Sequence, residues 1–206
     1  MLHTILKYQS IAGPAGALQV LEEKTVPEPA AVAVICHPHP LHGGALTNKV
    51  VHQLAKTFNE MGAVSVRFNF RGVGGSEGEY DEGRGELEDL VTVARWAEQH
   101  WPGLPLWLAG FSFGGFVALK GAQRLEPHRL VTVAPAVNYF PAESLRLPGL
   151  DWLLIQGESD DIVPTVQVKK WLESLEYEPQ FVLIEGAGHF FHGRLNALRQ
   201  ALIDAF

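Results

Sequence analysis

The stretch Leu104–Leu125, LPLWLAGFSFGGFVALKGAQRL, places one serine between an apolar run and a pattern typical of a helix. The run LPLWLAGF indicates a buried strand, and FGGFVALKGAQRL indicates a helix directly after it. Glycines at positions 110 and 114 complete the pattern G-x-S-x-G around Ser112. In this pattern a sharp turn from strand to helix presents the serine hydroxyl, so Ser112 is a candidate nucleophile.

The same five-residue pattern occurs a second time, at Gly74–Gly78 around Ser76. This serine follows RGVG and precedes the polar, glycine-rich segment GEYDEGRG, with no helix signal nearby. The pattern alone is therefore only moderately specific, and its surroundings have to decide. The surroundings favour Ser112 as the nucleophile and Ser76 as an ordinary turn serine.

The rest of the chain alternates short apolar runs with segments of helical periodicity. Six runs indicate strands: AAVAVICH (30–37), AVSVRFNF (63–70), LPLWLAGF (104–111), LVTVAP (130–135), DWLLIQG (151–157) and PQFVLIEG (179–186). This alternation predicts an α/β fold with a mostly parallel twisted sheet covered by helices on both faces. ILKYQS and ALQVLEEKT near the N-terminus could add a small antiparallel edge. Without repeats or linker-like breaks, we expect one domain, 1–206.

Net charge and cysteine content limit the partners and the compartment that we expect for this protein. The chain has 206 residues, a net charge of -7 and no Lys/Arg cluster, so neither nucleic acid nor a membrane surface is expected as partner. The single cysteine, Cys36, excludes an internal disulfide framework and suits a reducing compartment. No leader-type start and no apolar stretch of membrane-spanning length are seen. We expect a cytoplasmic monomer or homodimer.

A serine nucleophile needs a base and an acid that orients the base. In the strand-to-helix arrangement the acid precedes the histidine in the chain. ESDDIVP follows one strand and AGHFFHG follows the next, so both partners lie at predicted strand ends. His189 is the expected base, with His192 as the alternative. Asp160 is the expected acid, although spacing alone does not separate it from Asp161.

An oxyanion hole requires two backbone N–H donors. The residue after the nucleophile, Phe113, supplies one of them, and the loop HPHPLHGG (37–44) is expected to supply the other. Pro38 and Pro40 have no N–H and cannot serve. The sequence leaves His39 and Leu41 as the two candidates.

Two glycine- or histidine-rich loops allow other interpretations, a metal site and a dinucleotide site. His37, His39 and His42 form an H-x-H-x-x-H run that could suggest zinc, but the run has no acidic residue and two prolines restrict it. RGVGG resembles a dinucleotide loop, yet Glu77 stands where the third glycine of the fingerprint belongs. We therefore expect no metal and no cofactor. We interpret the acidic stretch 77–89 as a solvated loop and helix start, in which Glu86 and Asp89 would suit the positive end of a helix.

Taken together, these residues resemble the α/β-hydrolase superfamily over nearly the whole chain. HPHPLHGGALTNKVV (37–51) and RFNFRGVGGSEGEYDEGRGELEDL (67–90) are similar to the small hydrolases related to dienelactone hydrolase. The resemblance implies a triad of Ser112, Asp160 and His189 and a sheet of seven or eight strands. Dienelactone hydrolase itself uses a cysteine where Ser112 stands, so its substrate is not carried over.

The connection after the strand LVTV indicates an open site. Only APAVNYFPAESLRLPGL separates it from DWLLIQG, which is too short for a lid domain. Asn138, Tyr139 and Phe140 could form one wall of a substrate pocket, or the two aromatic residues could pack under the loop. The expected activity is hydrolysis of a small acyl substrate, with carboxylic esters ahead of thioesters and amides. A non-catalytic binding protein is the alternative.

Overall fold

The computed structural model describes residues 5–139, 146–147 and 149–206. Eight strands form one sheet in the order β1-β2-β4-β3-β5-β6-β7-β8. Their bounds are β1 (Ile5–Gly13), β2 (Gly16–Lys24), β3 (Ala31–Cys36), β4 (Ala63–Phe68), β5 (Leu106–Phe111), β6 (Arg129–Val133), β7 (Asp151–Gly157) and β8 (Gln180–Ile184). The helices are α1 (Lys49–Glu60), α2 (Arg84–His100), α3 (Phe113–Leu125), α4 (Thr165–Leu172) and α5 (Leu195–Ala205).

The sheet is parallel except at its N-terminal edge. β1 and β2 form an antiparallel hairpin, and β2 continues antiparallel onto β4. From β4 to β8 every neighbouring pair is parallel. The predicted antiparallel edge and the predicted α/β-hydrolase fold are both confirmed.

Helices bury both faces of the sheet, which explains why the central strands are continuous apolar runs. Every residue of β3, β4 and β5 is buried. α1 and α5 cover one face with a cluster that includes Leu54 and Leu202, and α2, α3 and α4 cover the other with a cluster that includes Leu90 and Val168. Among the described helices, none has the length and apolar character that crossing a membrane requires.

The acidic stretch 77–89 is not simply solvated, and this corrects the expectation from sequence. Glu86 is fully buried and accepts the backbone N–H of Gly83 at 2.7 Å, which caps the start of α2. Asp89 is also fully buried and accepts the Arg71 guanidinium at 2.8 Å. Both carboxylates lose their water but gain donors. The place of Glu86 at the helix start agrees with the sequence, whereas the partner of Asp89 comes from a distant segment that local charge patterning does not show.

Candidate active site

Ser112 occupies a strained turn between β5 and α3. β5 ends at Phe111 and α3 begins at Phe113, as the sequence predicted. Ser112 itself has φ 56° and ψ -118°, a positive φ that residues with a side chain rarely adopt. Such a conformation costs on the order of 1–3 kcal/mol and occurs preferentially at functional sites.

Gly110 and Gly114, two residues before and after Ser112, occupy positions where a side chain would not fit. A Cβ atom added at Gly110 would lie 2.1 Å from the carbonyl oxygen of Gly114. A Cβ atom added at Gly114 would lie 2.4 Å from the carbonyl oxygen of His37. The turn therefore closes tightly onto its own helix and onto the end of β3, which brings the His37–His42 loop next to Ser112.

Ser112, His189 and Asp160 form one buried hydrogen-bonded chain, although they are far apart in sequence. His189 Nε2 lies 3.0 Å from Ser112 Oγ, and His189 Nδ1 lies 2.8 Å from Asp160 Oδ2. Their exposed fractions are 9%, 4% and 6% for serine, histidine and aspartate. Because an ionised carboxylate only accepts, Nδ1 donates to Asp160, which leaves the Nε2 lone pair directed at the serine hydroxyl.

Further donors hold the carboxylate of Asp160 in place. Its Oδ1 accepts the backbone N–H groups of Ile162 at 3.0 Å and Val163 at 2.7 Å. Its Oδ2 accepts Gln156 Nε2 at 3.1 Å, in addition to the histidine. Gln156 is fully buried in β7 and was missed by the sequence reasoning, although a glutamine inside the apolar run DWLLIQG was a usable signal. These donors stabilise a buried negative charge behind the imidazole.

The alternative residues lie outside this chain of hydrogen bonds. Asp161 and His192 are both exposed to solvent. Ser76 is buried but has a structural role: its Oγ donates to the carbonyl oxygen of Asn69 at 2.6 Å and accepts the backbone N–H of Gln19 at 2.9 Å. The geometry thus distinguishes the two G-x-S-x-G serines, since only Ser112 faces an imidazole.

The two candidates for the second oxyanion donor, His39 and Leu41, differ in the hydrogen bonds of their backbone N–H groups. The N–H of Leu41 donates to the imidazole Nδ1 of its neighbour His39 at 3.3 Å. Among the residues that the structure describes, no group accepts the N–H of His39. The N–H of Phe113, at the first position of α3, has no acceptor within the helix either. Available N–H groups therefore come from His39 and Phe113, and not from Leu41.

His37 orients the peptide group that carries the His39 N–H. The His37 Nδ1–H donates to the carbonyl oxygen of Pro38 at 2.6 Å, and its Nε2 accepts the backbone N–H of Phe70 at 3.0 Å. The C=O of Pro38 and the N–H of His39 belong to one trans peptide and point in opposite directions. Anchoring the carbonyl therefore fixes the direction of the N–H. Burial lowers the pKa of His37 to about 4, so the ring is neutral at neutral pH.

The three histidines of the H-x-H-x-x-H run do not converge on a common point. Both ring nitrogens of His37 are used, by Pro38 and Phe70. The ring of His39 stacks face to face on that of His42, with centroids 4.4 Å apart. Within the described ranges, no group of three histidine, cysteine or carboxylate side chains has an arrangement suited to a metal ion.

The predicted pocket wall is described only in part. Asn138 is exposed in the helical turn Val137–Tyr139 after β6. It borders a cavity of about 350 Å³ against α4 and its C-terminal end, lined also by Val137, Gln167, Lys170, Trp171 and Ser174. The backbone N–H of Ala136 donates to the Ser112 carbonyl at 3.2 Å, which ties this turn to the nucleophile. The side chain of Tyr139 and the whole of Phe140 lie outside the described residues.

Comparison with known proteins agrees with this geometry. A family model described as serine aminopeptidase, S33, matches residues 27–148, which include the turn at Ser112. The chain belongs to this family of α/β hydrolases. A 47% identical α/β serine hydrolase homologue from Coxiella burnetii covers 96% of this hydrolase and 96% of its own chain, with a TM-score of 0.92.

A second solved structure is relevant to the prediction that the chain has no lid domain. It is an α/β serine hydrolase without lid from Xanthomonas campestris, 41% identical over 97% of this hydrolase and 93% of its own chain, with a TM-score of 0.92. The resemblance to small α/β serine hydrolases is thereby confirmed. A dienelactone hydrolase from Anabaena variabilis, 19% identical over 98% of this chain and 97% of its own, shares the fold with a TM-score of 0.82. The lysophosphatidylserine lipase ABHD12 of Danio rerio is 33% identical over 134 residues, which is 58% of this chain and 35% of that protein.

Proposed function

We propose that this α/β hydrolase cleaves small carboxylic esters through an acyl-enzyme formed on Ser112. The observation that carries the proposal is the buried chain from Ser112 Oγ through His189 to Asp160. As Oγ attacks the acyl carbonyl carbon, His189 Nε2 takes the hydroxyl proton and becomes an imidazolium. The Asp160 carboxylate, held by its own donors, stabilises that charge and keeps the ring in the productive tautomer.

The carbonyl oxygen becomes an oxyanion, for which the N–H groups of Phe113 and His39 are the available donors. When the tetrahedral intermediate collapses, the C–O bond to the alcohol breaks and the His189 imidazolium gives its proton to the departing oxygen. A water molecule then attacks the acyl-enzyme while His189 takes a proton from it. The second collapse returns the proton to Ser112 Oγ and releases the carboxylic acid, so the cycle requires no cofactor.

The same acyl-enzyme chemistry would serve thioesters and amides, and the triad does not separate them. Esters are favoured because the 33% identical relative from Danio rerio is named as a lysophosphatidylserine lipase. An amide or peptide substrate is the second candidate, because the matching family model is described as serine aminopeptidase. The proposed partner is thus a small acyl compound that enters an open site.

A fluorophosphonate probe followed by mass spectrometry tests the nucleophile without knowledge of the substrate. We expect one adduct, on Ser112, and complete loss of labelling and ester turnover in Ser112→Ala. Ser76→Ala is the matched control, since it removes the serine of the other G-x-S-x-G pattern and should still be labelled. A folded wild-type sample with no adduct, or equal ester turnover by Ser112→Ala, would overturn the proposal.

The substrate class is tested on the wild-type protein with matched chromogenic compounds. p-Nitrophenyl butyrate, a butyryl thioester and butyryl p-nitroanilide present the same acyl group to the site as an ester, a thioester and an amide. We expect the highest kcat/KM for the oxygen ester. A preference for the anilide beyond the intrinsic reactivity of the two bonds would move the assignment to the amide class.

A further inference from the structure

The loop between β4 and α2 places one side chain, Tyr80, against both residues that supply the available N–H groups. The Tyr80 ring lies with its centroid 5.0 Å from that of His39 and 5.9 Å from that of Phe113. The His39 and Phe113 rings are themselves 5.0 Å apart. At the end of the loop, a Cβ added at Gly83 would lie 2.9 Å from the Phe116 ring, so the loop is packed closely onto α3.

Hydrogen bonds fix the tautomer of His39 within this cluster. Its Nδ1 accepts the N–H of Leu41, so that nitrogen carries a lone pair and the proton is on Nε2. Nε2 lies 3.2 Å from the hydroxyl oxygen of Tyr80, and Nε2–H therefore donates to Tyr80. Burial and the neighbouring His42 lower the pKa of His39, which favours this neutral form.

The backbone of His39 is anchored on its carbonyl side as well. That carbonyl accepts the N–H groups of His42 at 3.1 Å and Gly44 at 3.0 Å. Gly44 also approaches so closely that a Cβ there would lie 2.0 Å from the Pro38 carbonyl oxygen. With the ring held by Tyr80 and Leu41, both sides of this residue are constrained, and its N–H has no acceptor among the residues that the structure describes.

We propose that Tyr80 is a positioning residue for ester hydrolysis. Tyr80 accepts the Nε2–H of His39. In this way it holds the loop 37–44 in the conformation that keeps the His39 N–H available to the transition state. This inference rests on the proposed function, in which His39 and Phe113 stabilise the oxyanion. Tyr80 does not need to touch the substrate for this effect, since it acts through the imidazole.

Tyr80→Phe removes only the hydroxyl and keeps the ring contacts to His39 and Phe113. Since loss of a whole oxyanion donor costs about 10²–10³-fold in kcat, a displaced donor should cost about ten-fold. We expect kcat for p-nitrophenyl butyrate and the rate of Ser112 labelling by fluorophosphonate to fall by that factor, while KM changes little. The inhibition constant of phenylboronic acid, which forms a tetrahedral adduct, should rise by a similar factor. Tyr8→Phe, at the exposed sheet edge, is the control for loss of a tyrosine hydroxyl.

A double-mutant cycle separates positioning from general packing. In His39→Asn the shorter side chain can still accept the N–H of Leu41, as asparagine does in turns, but it no longer extends to Tyr80. Tyr80→Phe should therefore have almost no further effect on kcat in the His39→Asn background. Melting temperatures of all variants report folding separately from these rates.

The results distinguish failure of the role proposed for Tyr80 from failure of the proposed function. Unchanged kcat, labelling rate and boronic acid affinity in Tyr80→Phe would overturn the positioning role and leave the proposed function standing. So would a loss that simply adds to that of His39→Asn, or one that appears only in KM. Failure of Ser112 to label in the folded wild-type protein would instead overturn the proposed function, and the role of Tyr80 with it.

Discussion

Acidification should lower the free energy of unfolding of this protein through His37, and the size of this effect follows from the pKa of that residue. The pKa of a free histidine is 6.5, and burial lowers the pKa of His37 to about 4. Between these two values the unfolded chain binds a proton that the folded chain excludes, so stability is complete above pH 6.5 and is lost as the pH falls towards 4. At about 1.4 kcal/mol for each unit of pKa, the difference between 6.5 and about 4 amounts to about 3–4 kcal/mol. Protonation would also remove the lone pair that accepts the N–H of Phe70.

Urea unfolding at pH 7, 5.5 and 4 measures this contribution when the wild type is compared with His37→Gln. The glutamine carbonyl can still accept the N–H of Phe70, but the side chain does not titrate. The variant should be less stable at pH 7, because the Pro38 carbonyl loses its donor, and its disadvantage should shrink by about 3 kcal/mol towards pH 4. Other titrating groups cancel in the difference. Parallel stability curves for the two proteins across this range would refute the reasoning.

Four further substitutions test the described contacts. Asp160→Asn should lower kcat by about 10⁴-fold, as loss of a triad carboxylate does, whereas Asp161→Asn should stay near wild type; ester kinetics decide, and the reverse order would reassign the acid. Gly110→Ala forces a Cβ to within 2.1 Å of a carbonyl oxygen and should cost more than about 3 kcal/mol in urea unfolding, so a wild-type midpoint would contradict the turn geometry. Asp89→Asn should cost about 3–5 kcal/mol, because the buried pair with Arg71 loses one charge, and a neutral result would show that Arg71 finds water instead.

The strands and helices were predictable because burial imposes patterns that a sequence displays. β3 and β5 are buried on both faces and therefore read as continuous apolar runs. The turn at Ser112 was predictable for a different reason, since close backbone approach excludes every residue except glycine at positions 110 and 114. Such requirements act within one segment of the chain, so they are visible in the sequence of that segment.

The finer features of the site depend on contacts between distant segments and leave little local trace. The choice between Asp160 and Asp161 is set by which carboxylate meets His189, and adjacent positions in a loop do not reveal that. The burial of Asp89 is not visible in the local charge pattern, because its donor, Arg71, lies 18 residues away in the chain. The hydrogen bond from the Leu41 N–H to the His39 ring, on which the proposed choice of His39 as oxyanion donor depends, forms only in the folded loop.

The long sequence separations within the triad have a consequence for how activity is acquired. His189 meets Ser112 across 77 residues and Asp160 across 29, and each approach depends on parallel strands already paired in register. Parallel pairing is slow because long loops must close before any contact forms. A nascent chain can thus complete most of its sheet and remain inert until the segment after β8 docks. Recovery of hydrolase activity during refolding should accordingly be a late event, and activity would report completion of the native topology more stringently than helix content does.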